Sequence, residues 1–492
     1  MSELHYAWLL IALHLILAIA SSSHALLFKR DPRAALGWIA VSIAYPFIGP
    51  IFYYLFGINR LRTRAHQLKG APAGRLKTGY ERPNIAQPKN GAIAAVSVAL
   101  DVNLAALAKS SQAVTLRELV EGNSLLAFYD GESTYAAMLE AINLATTCVC
   151  LSSYIFETNV SGRAFISALA AAKNRGVEVC VLLDGIGELY SFPRAGTLLD
   201  YQGIRIARFI PPRLIPPSMH INLRNHRKLL LVDGRIGFTG GMNIGDRHIH
   251  QQPAAKNYTV DIHFHVEGPV VEQLQATFDE DWLFAAGKPR SQVLPKPLPQ
   301  GETVCRVITD GPNEDIGKLV MIISGAAAQA RKRLSIMTPY FLPPAGLISS
   351  LQAAALRGVE VSVILPEKSN LAIVDWATRN MLWELLQYGV RVYFQPPPFA
   401  HSKLLLIDDS YAHIGSANMD PRSLRLNFEL VIEVFDKSFV SGLCRHFDRI
   451  KNISREESLA VFTLPVMCMQ KFWSRYFQQL FSYVRFTREE RQ

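Results

Sequence analysis

The chain has 492 residues, of which 51 are Lys or Arg and 41 are Asp or Glu, leaving a formal charge of +10 at neutral pH. This length exceeds one ordinary core and predicts two or more globular units. The six cysteines are too few and too scattered for a secreted disulfide scaffold, and the positive charge favours a phosphate-rich partner, either nucleic acid or an anionic membrane surface.

Two uncharged apolar runs occupy the first sixty residues, one from Tyr6 to Phe28 and one from Ala34 to Asn59. Each run exceeds the roughly 20 apolar residues that cross a bilayer. Residues 1–60 are therefore predicted to form a transmembrane helical hairpin. A cleaved signal peptide is the alternative for the first run, but no basic region precedes that run.

The second run contains Pro46, Gly49 and Pro50, so a kinked or re-entrant helix remains open for it. Basic residues without any acid among them follow this run: Arg60, Arg62, Arg64, Lys69, Arg75 and Lys77. Because basic loops stay on the cytoplasmic side of a membrane, this cluster predicts a cytoplasmic body. Residues 61–110, rich in Gly, Pro and Lys over much of their length, are interpreted as a linker.

The body contains the same segments twice. "RGVEVCVLLD" from Arg175 returns as "RGVEVSVILP" from Arg357, and "HRKLLLVD" from His226 returns as "HSKLLLID" from His401. Alanine-rich helices alternate with Val/Ile/Leu strands in both copies, which predicts an α/β fold with parallel sheet layered with helices. A period of roughly 180 residues is too long for a solenoid repeat. We therefore expect two duplicated α/β domains, at 111–290 and 300–455, in a pseudo-twofold pair.

The tail at 456–492 is predicted to be helical. Its aromatic residues lie near helical spacing among basic ones, so an interfacial membrane helix and a helix packed on the body both fit.

The repeated octapeptide carries residues suited to phosphate chemistry. In a strand, His226 and Lys228 point to one face, as do His401 and Lys403. Asp233 and Asp408 follow each lysine by five residues and fall on the opposite face, so we expect them to fix the strand to its neighbours. One such strand would be a weak signal, because a lone strand histidine is usually a core residue.

The spacing beyond the octapeptide also repeats. Asn243 and Asn418 each lie fifteen residues after the lysine of their copy, and Ser416 lies in the glycine-containing turn before Asn418. Lysine and asparagine side chains would bind the non-bridging oxygens of a phosphodiester, while one imidazole attacks phosphorus and the other protonates the leaving oxygen.

The two lysines supply the charge that a divalent ion would bring, so catalysis without a metal or cofactor is expected. Two other pairs, Cys148 with Cys150 and His248 with His250, have no matching second pair to complete a metal site.

At this point the sequence resembles a known family. "HRKLLLVDGRIGFTGGMN" and "HSKLLLIDDSYAHIGSAN" resemble the paired HKD motifs of the phospholipase D superfamily, and "PFIGPIFYYLFGINR", "TPYFLPP" and "GSANMDPRSLRLNFE" resemble the bacterial cardiolipin synthase family. The resemblance implies two phospholipase D-like halves and a phosphohistidine intermediate. It also implies residue roles: catalytic for His226, Lys228, Asp233, His401, Lys403 and Asp408, and phosphate-binding for Asn243, Ser416 and Asn418. It places Asp261 and Glu429 behind the histidines.

The activity that the resemblance implies is phosphatidyl transfer from one phosphatidylglycerol to another, giving cardiolipin and glycerol. A membrane-bound phospholipase D-type hydrolase or another phosphatidyltransferase is the alternative. Two bilayer spans argue against nucleic acid as substrate, since a tethered site meets lipid diesters at higher effective concentration. Phosphatidylglycerol and anionic lipids are the expected partners, in a bacterial inner membrane. His226 is expected to be the nucleophile, following the superfamily's commoner order, and the oligomeric state stays open.

Overall fold

The computed structural model describes residues 2–29, 32–57, 102–212, 223–250, 258–312 and 317–459. The chain divides into two compact units, Met1–Leu76 and Lys77–Gln492. Most of the predicted linker, the basic residues after the second apolar run and nearly all of the predicted tail lie outside the described residues.

The described residues of the first unit are mostly helical. Its elements are α1 (Ser2–Phe28), α2 (Pro32–Ala44), α3 (Ile48–Phe52) and a π-helical turn (Tyr53–Gly57). Within α1, the 24 residues His5–Phe28 are long and apolar enough to cross a membrane. At about 1.5 Å per residue they extend roughly 36 Å, somewhat more than the hydrocarbon core of a bilayer.

The second apolar run is not one continuous helix. Helix α2 ends at Ala44, and Phe47 has a positive φ of 60° beside Pro46, which lacks a backbone donor. The Tyr53 hydroxyl then lies 2.7 Å from Nδ1 of His24, joining the end of this run to α1. This break matches the kinked alternative, and a second crossing of the membrane stays a prediction.

The second unit contains a large mixed α/β body. Its helices are α4 (Val102–Thr115), α5 (Gly131–Leu144), α6 (Val160–Asn174), α7 (Ala195–Tyr201), α8 (Val270–Ala286), α9 (Lys318–Gln329), α10 (Ala345–Leu356), α11 (Ala372–Leu386) and α12 (Lys437–Ile453). Its strands are β1 (Val120–Phe128), β2 (Cys148–Ser153), β3 (Glu178–Asp184), β4 (Arg205–Phe209), β5 (Leu229–Val232), β6 (Ile236–Gly240), β7 (Thr259–Val260), β8 (His263–Glu267), β9 (Thr303–Asp310), β10 (Arg333–Met337), β11 (Glu360–Pro366), β12 (Arg391–Gln395), β13 (Phe399–Ala400), β14 (Leu404–Ile407), β15 (Tyr411–Gly415), β16 (Glu429–Phe435) and β17 (Arg455–Glu456).

Fifteen of these strands form one sheet, in the order β17-β12-β11-β10-β14-β15-β16-β9-β1-β8-β6-β5-β2-β3-β4. Outward from the central β9–β1 pair, the two sides run through corresponding strands in the same order. This symmetry confirms the predicted duplication and pseudo-twofold pair.

The sheet is only partly parallel. Strands β2, β3 and β4 pair in parallel, as do β10, β11 and β12, because a helix crosses over between successive strands. The octapeptide strands β5 and β14 instead pair antiparallel with β2 and β10. The prediction of parallel sheet therefore holds for three strands in each half and is wrong for the strands that follow.

Alternation along the strands assigns each side chain to a face. Leu229 and Leu231 face a core that runs across both halves and includes residues of α8 and α12. Leu230 faces the core with α5, α6 and α7, and Leu405 faces the core with α9, α10 and α11. The histidine and lysine of each octapeptide precede β5 and β14, and they share the parity of Leu230 and Leu405.

Helix α4 lies partly within the predicted linker, which ends at residue 110. Its Leu107 and Ala108 are buried in the core of the second half. Among the described residues, the folded body therefore begins at residue 102.

Candidate active site

The first octapeptide histidine is held by a carboxylate from the other half. Nδ1 of His226 lies 3.0 Å from Oε2 of Glu429, and both side chains are buried. A carboxylate accepting the proton on Nδ1 leaves Nε2 with a free lone pair. The pair thus fixes the imidazole in the tautomer that a nucleophile needs.

The second octapeptide histidine is held in the same way with the halves exchanged. Nδ1 of His401 lies 2.6 Å from Oδ2 of Asp261. Asp261 is 1% exposed, so its negative charge is shielded from solvent. It is compensated by His401 and by Lys403, whose Nζ lies 3.8 Å from Oδ2 of Asp261. Each histidine–carboxylate pair therefore takes one member from each half.

Backbone pairing between the halves brings these residues together. Ala400, just before His401, pairs in parallel with Val260, just before Asp261. Asn225, just before His226, forms the equivalent parallel bridge with Phe428, just before Glu429. The backbone N–H of His226 donates to the carbonyl of Phe428 at 3.0 Å, and that of His401 donates to the carbonyl of Val260 at 2.8 Å.

Both octapeptide lysines are buried beside their histidines, at 3% exposure for Lys228 and 5% for Lys403. Nζ of Lys228 donates to the carbonyl of His226 at 2.7 Å and lies 5.3 Å from the centre of the Tyr154 ring. Nζ of Lys403 donates to the carbonyl of His401. Each lysine thus lies beside the histidine of its own octapeptide.

Burial sets the protonation of these groups. It lowers the pKa of His226 to about 4 and that of His401 well below its usual value, with the neighbouring lysines adding to the effect. Burial also lowers the pKa of Lys228 to about 7 and that of Lys403 to about 8, although carboxylates partly offset this. At neutral pH both imidazoles are neutral in the free protein.

The two carboxylates differ in their surroundings. Burial acts to raise the pKa of Glu429, but the charge and hydrogen bond of His226, with Lys228 and Ser416, bring it below its usual value. Burial raises the pKa of Asp261, against the opposing charge of Lys403. Glu429 is therefore the more firmly ionised partner.

Asp233 and Asp408 lie away from this cluster, which corrects their assignment to the catalytic set. Asp233 accepts hydrogen bonds from the backbone N–H groups of Thr146, Thr147 and Cys148, where β2 begins. Asp408 accepts from the equivalent N–H groups of residues 331–333 at the start of β10. Both adopt φ of 53°, a left-handed conformation that aspartate tolerates in a tight turn. The expectation from strand alternation, that they fix the strand, is confirmed.

The predicted phosphate-binding residues divide into two groups. Oδ1 of Asn243 accepts from the N–H of Ile155 at 3.3 Å, which leaves its amide N–H₂ as a donor. Asn418 is buried in the corresponding turn, and its Oδ1 has no hydrogen-bond partner among the described residues. Phosphate binding by these two amides stays a prediction.

Ser416 forms hydrogen bonds within the protein. Its hydroxyl donates to Oε2 of Glu429 at 2.6 Å and accepts from the N–H of Leu430 at 3.0 Å. Both functions of the hydroxyl are thus engaged within the protein. The structure shows Ser416 holding Glu429, and phosphate binding by Ser416 stays a prediction.

Gly241 occupies the place of Ser416 in the first half. A Cβ there would lie 2.4 Å from each carboxylate oxygen of Asp261, closer than any side chain tolerates. Glycine is therefore required for Asp261 to reach His401, and the two halves position their carboxylates by different means.

Sequence reasoning missed the aromatic walls of the site. The Tyr154 ring lies 5.1 Å from the ring of His226, and the Tyr340 ring lies 6.4 Å from that of His401, both edge to face. The two tyrosines occupy equivalent places, in "SSYIFE" and "TPYFLP" after β2 and β10. A comparison of the two halves beyond the octapeptides would have found them.

It also missed a buried ion pair behind the first octapeptide. Nη1 of Arg227 donates to both carboxylate oxygens of Asp281 at 2.7 Å, and its Nε donates to the carbonyl of Glu429. This pair anchors the backbone between His226 and Lys228 to α8. Asp281 lies 54 residues from Arg227, so no local sequence pattern predicts this ion pair.

Nothing in the described part of the chain groups three His, Cys, Asp or Glu side chains as a metal site. Cys148 and Cys150 are buried in β2, and of the paired histidines His248 is buried while His250 is exposed.

Comparison with known proteins identifies the family. The chain matches the family described as "Cardiolipin synthase, PLD-like domain" over residues 138–282 and 323–451. Residues 7–57 match the family described as "Phospholipase D-nuclease N-terminal". Each of the two matches of the first family lies within one half of the sheet.

Similar curated proteins extend over nearly the whole chain. Cardiolipin synthase A of Pseudomonas putida strain GB-1 is 30% identical over 481 residues, covering 95% of this chain and 97% of that protein. The major cardiolipin synthase ClsA of Bacillus subtilis strain 168 is 29% identical over 457 residues, covering 91% and 92%.

A solved structure supports the fold. The crystal structure of phosphatidylserine synthase from Haemophilus influenzae Rd KW20 superposes with a TM-score of 0.58 at 15% identity, over 73% of this chain and 94% of that one. With the apolar helix His5–Phe28, these similarities indicate a membrane-associated protein. The chain belongs to the cardiolipin synthase family of the phospholipase D superfamily.

Proposed function

We propose that this protein is a cardiolipin synthase that transfers a phosphatidyl group from one phosphatidylglycerol to another. The observation that carries the proposal is the pair of crossed histidine–carboxylate contacts, His226 with Glu429 and His401 with Asp261, with two buried lysines between them. Two oriented imidazoles and two ammonium groups suit a phosphodiester, which needs a nucleophile, an acid and charge stabilisation.

In the first step Nε2 of His226 attacks phosphorus. The N–P bond forms as the P–O bond to glycerol breaks, and His401 gives its proton to the departing oxygen. The anionic diester favours that protonated form of His401, because a nearby negative charge raises an imidazole pKa. Lys228 and Lys403 stabilise the charge on the non-bridging oxygens, with Asn243 and Asn418 as further donors.

In the second step His401, now neutral, takes the proton from a hydroxyl of a second phosphatidylglycerol. That oxygen bonds to phosphorus while the N–P bond breaks, which releases cardiolipin and restores both histidines. One phosphodiester replaces another, so the reaction consumes no nucleotide.

We assign the nucleophile to His226 because its carboxylate is the better fixed of the two. Glu429 accepts from Ser416 at 2.6 Å and from Nδ2 of Asn427 at 3.3 Å as well as from His226. A phosphohistidine at the other position would instead rely on Asp261, whose pKa is raised by burial.

The test uses the purified full-length protein in phosphatidylglycerol vesicles. We expect one glycerol released per cardiolipin formed, and a loss of about a thousandfold or more in His226→Ala and in His401→Ala. A rapid acid-free quench should trap the phosphatidyl group on the wild type but not on His226→Ala. Phosphatidic acid as the main product would favour a hydrolase, and dependence on CDP-diacylglycerol would contradict both.

We further propose that the body is cytoplasmic and that both apolar runs enter the bilayer. The basic residues that follow the second run support this orientation. Protease added outside sealed cells should leave the body intact, and its digestion there would reverse the assigned topology.

A further inference from the structure

One exposed aromatic side chain lies near the site in each half. Phe192 is 97% exposed and Trp376 is 63% exposed. Phe192 lies in the loop after β3 and Trp376 on α11, which follows β11. Because β3 and β11 are equivalent strands, the two residues are at the same edge of their halves, where the catalytic histidines also lie.

A tyrosine connects each of these segments to a histidine. In the first half the ring of His226 packs on Tyr154, and Tyr154 packs at 6.3 Å on Tyr190, two residues before Phe192. In addition, the hydroxyl of Ser191 accepts from the N–H of Thr158 at 2.9 Å, which fixes the loop beneath Phe192.

The second half repeats this construction with different residues. The ring of His401 packs on Tyr340, and the Tyr340 hydroxyl donates to Oδ1 of Asn370 at 2.8 Å. Asn370 lies just before α11, whose second turn carries Trp376. In each half, the segment that carries the exposed aromatic side chain thus contacts a tyrosine packed on the catalytic histidine.

The charge around these residues favours an anionic surface. Arg194 is exposed two residues after Phe192, and no acidic residue lies between Glu188 and Asp200. In the other half Lys368 is exposed in the loop before α11, beside the half-buried Glu367. Asp375, next to Trp376, is neutralised by Nε of Arg379 at 2.9 Å. Aromatic side chains flanked by basic ones are the composition that binds the interface of an anionic membrane.

We propose that Phe192 and Trp376 form a docking rim that inserts into an anionic lipid bilayer around the mouth of the site. Leu189, which is 43% exposed, belongs to the same rim. The rim places the site at the depth of lipid phosphodiesters, so a donor lipid reaches His226 without leaving the membrane. This inference rests on the proposed function for its substrate, but the insertion itself is measurable without any turnover.

The direct test measures membrane contact of single positions in the full-length protein. The five cysteines in the described part of the chain are buried, so with Cys468→Ser a cysteine introduced at 192 or 376 accepts an environment-sensitive fluorophore. In vesicles of phosphatidylcholine and phosphatidylglycerol with brominated acyl chains, we expect quenching at both positions. The matched controls are Tyr201 and Leu356, which are 88% and 69% exposed. They precede β4 and β11 at the opposite edge of the sheet and should not be quenched.

A second measurement links insertion to substrate access. The double variant Phe192→Ser/Trp376→Ser should lower the ratio of activity on vesicles to activity on dispersed short-chain lipid by about tenfold, since less apolar area enters the bilayer. Tyr201→Ser should leave the ratio unchanged. Three results would overturn the proposal. They are equal quenching at rim and control positions, absence of quenching at the rim, and a rim that contacts a second copy of the chain instead of the bilayer. Quenching at the rim of a protein that makes no cardiolipin would overturn only the proposed function.

Discussion

Two buried ammonium groups determine how the site responds to pH. Burial lowers the pKa of Lys228 to about 7 and that of Lys403 to about 8, so both begin to lose their protons near neutrality in the free protein. Only the protonated form attracts an anionic diester. His226, with a pKa of about 4, stays neutral over the same range and does not contribute.

We therefore expect kcat/KM to fall as pH rises through 7 to 8, by about tenfold or more between pH 6.5 and 9. Bound substrate raises the lysine pKa values, so kcat should fall at higher pH than kcat/KM. The measurement is a pH series on mixed micelles, with protein fluorescence as a check of folding. Lys228→Arg, which cannot lose its charge, should move any remaining decline upward. A flat kcat/KM up to pH 9.5 would contradict the assignment.

Ser416 acts through Glu429 and is a positioning residue. In Ser416→Ala, Glu429 loses a charge-assisted hydrogen bond and the N–H of Leu430 loses its acceptor. Because such a bond contributes about 1.5–3 kcal/mol, kcat should fall by about tenfold or more, with little change in KM. Ser416→Thr keeps the hydroxyl and should restore most of the activity. An equal rise in KM would instead indicate direct contact with substrate.

At the scale of elements, the site depends on the joint between the halves. The side chain of Asn123, fully buried in β1, donates to the carbonyl of Thr303 in β9 at 3.0 Å and accepts from the N–H of Val270, the first residue of α8, at 2.8 Å. The Asn123 side chain therefore connects β1 of the first half to β9 of the second half. It also connects β1 to α8, the helix that carries Asp281.

Asn123→Ala should lower the free energy of unfolding by about 2–3 kcal/mol, because it leaves buried backbone groups without partners. A thermal or denaturant melt in detergent would measure this change. The exposed neighbour Ser124 provides the control, and Ser124→Ala should change stability by less than about 0.5 kcal/mol. Equal effects of the two variants would show that the amide does not stabilise the joint.

For the whole molecule, one chain supplies every member of the site. Both crossed pairs, His226 with Glu429 and His401 with Asp261, form within the same chain. A mixture of inactive His226→Ala and His401→Ala proteins should therefore stay inactive, because neither chain holds two intact histidines. If the halves exchanged between chains, about a quarter of the sites in an equal mixture would combine two intact halves. Recovery of about a quarter of the wild-type activity would therefore indicate that sites are shared between chains. The assay is cardiolipin formation after joint reconstitution.

Much of the architecture could be predicted from repetition. Matched octapeptides at His226 and His401 predicted the duplicated domains, and strand alternation placed Asp233 and Asp408 on the opposite face, where they bind backbone N–H groups. The antiparallel pairing of β5 and β14 could not be predicted, because strand residues of both pairings look alike along the chain. The break at Phe47 was visible only as an alternative suggested by the prolines around it.

Sequence by itself determined the reacting groups: two histidines, two lysines and two asparagines at matched spacing are local facts of each half. Tertiary structure decided how they work together. Glu429 lies 203 residues from His226, and Asp261 lies 140 from His401, so no local pattern could assign each carboxylate to the histidine of the opposite half. The same folding engaged Ser416 with Glu429 and required glycine at 241, because the space beside a carboxylate depends on how the two halves pack.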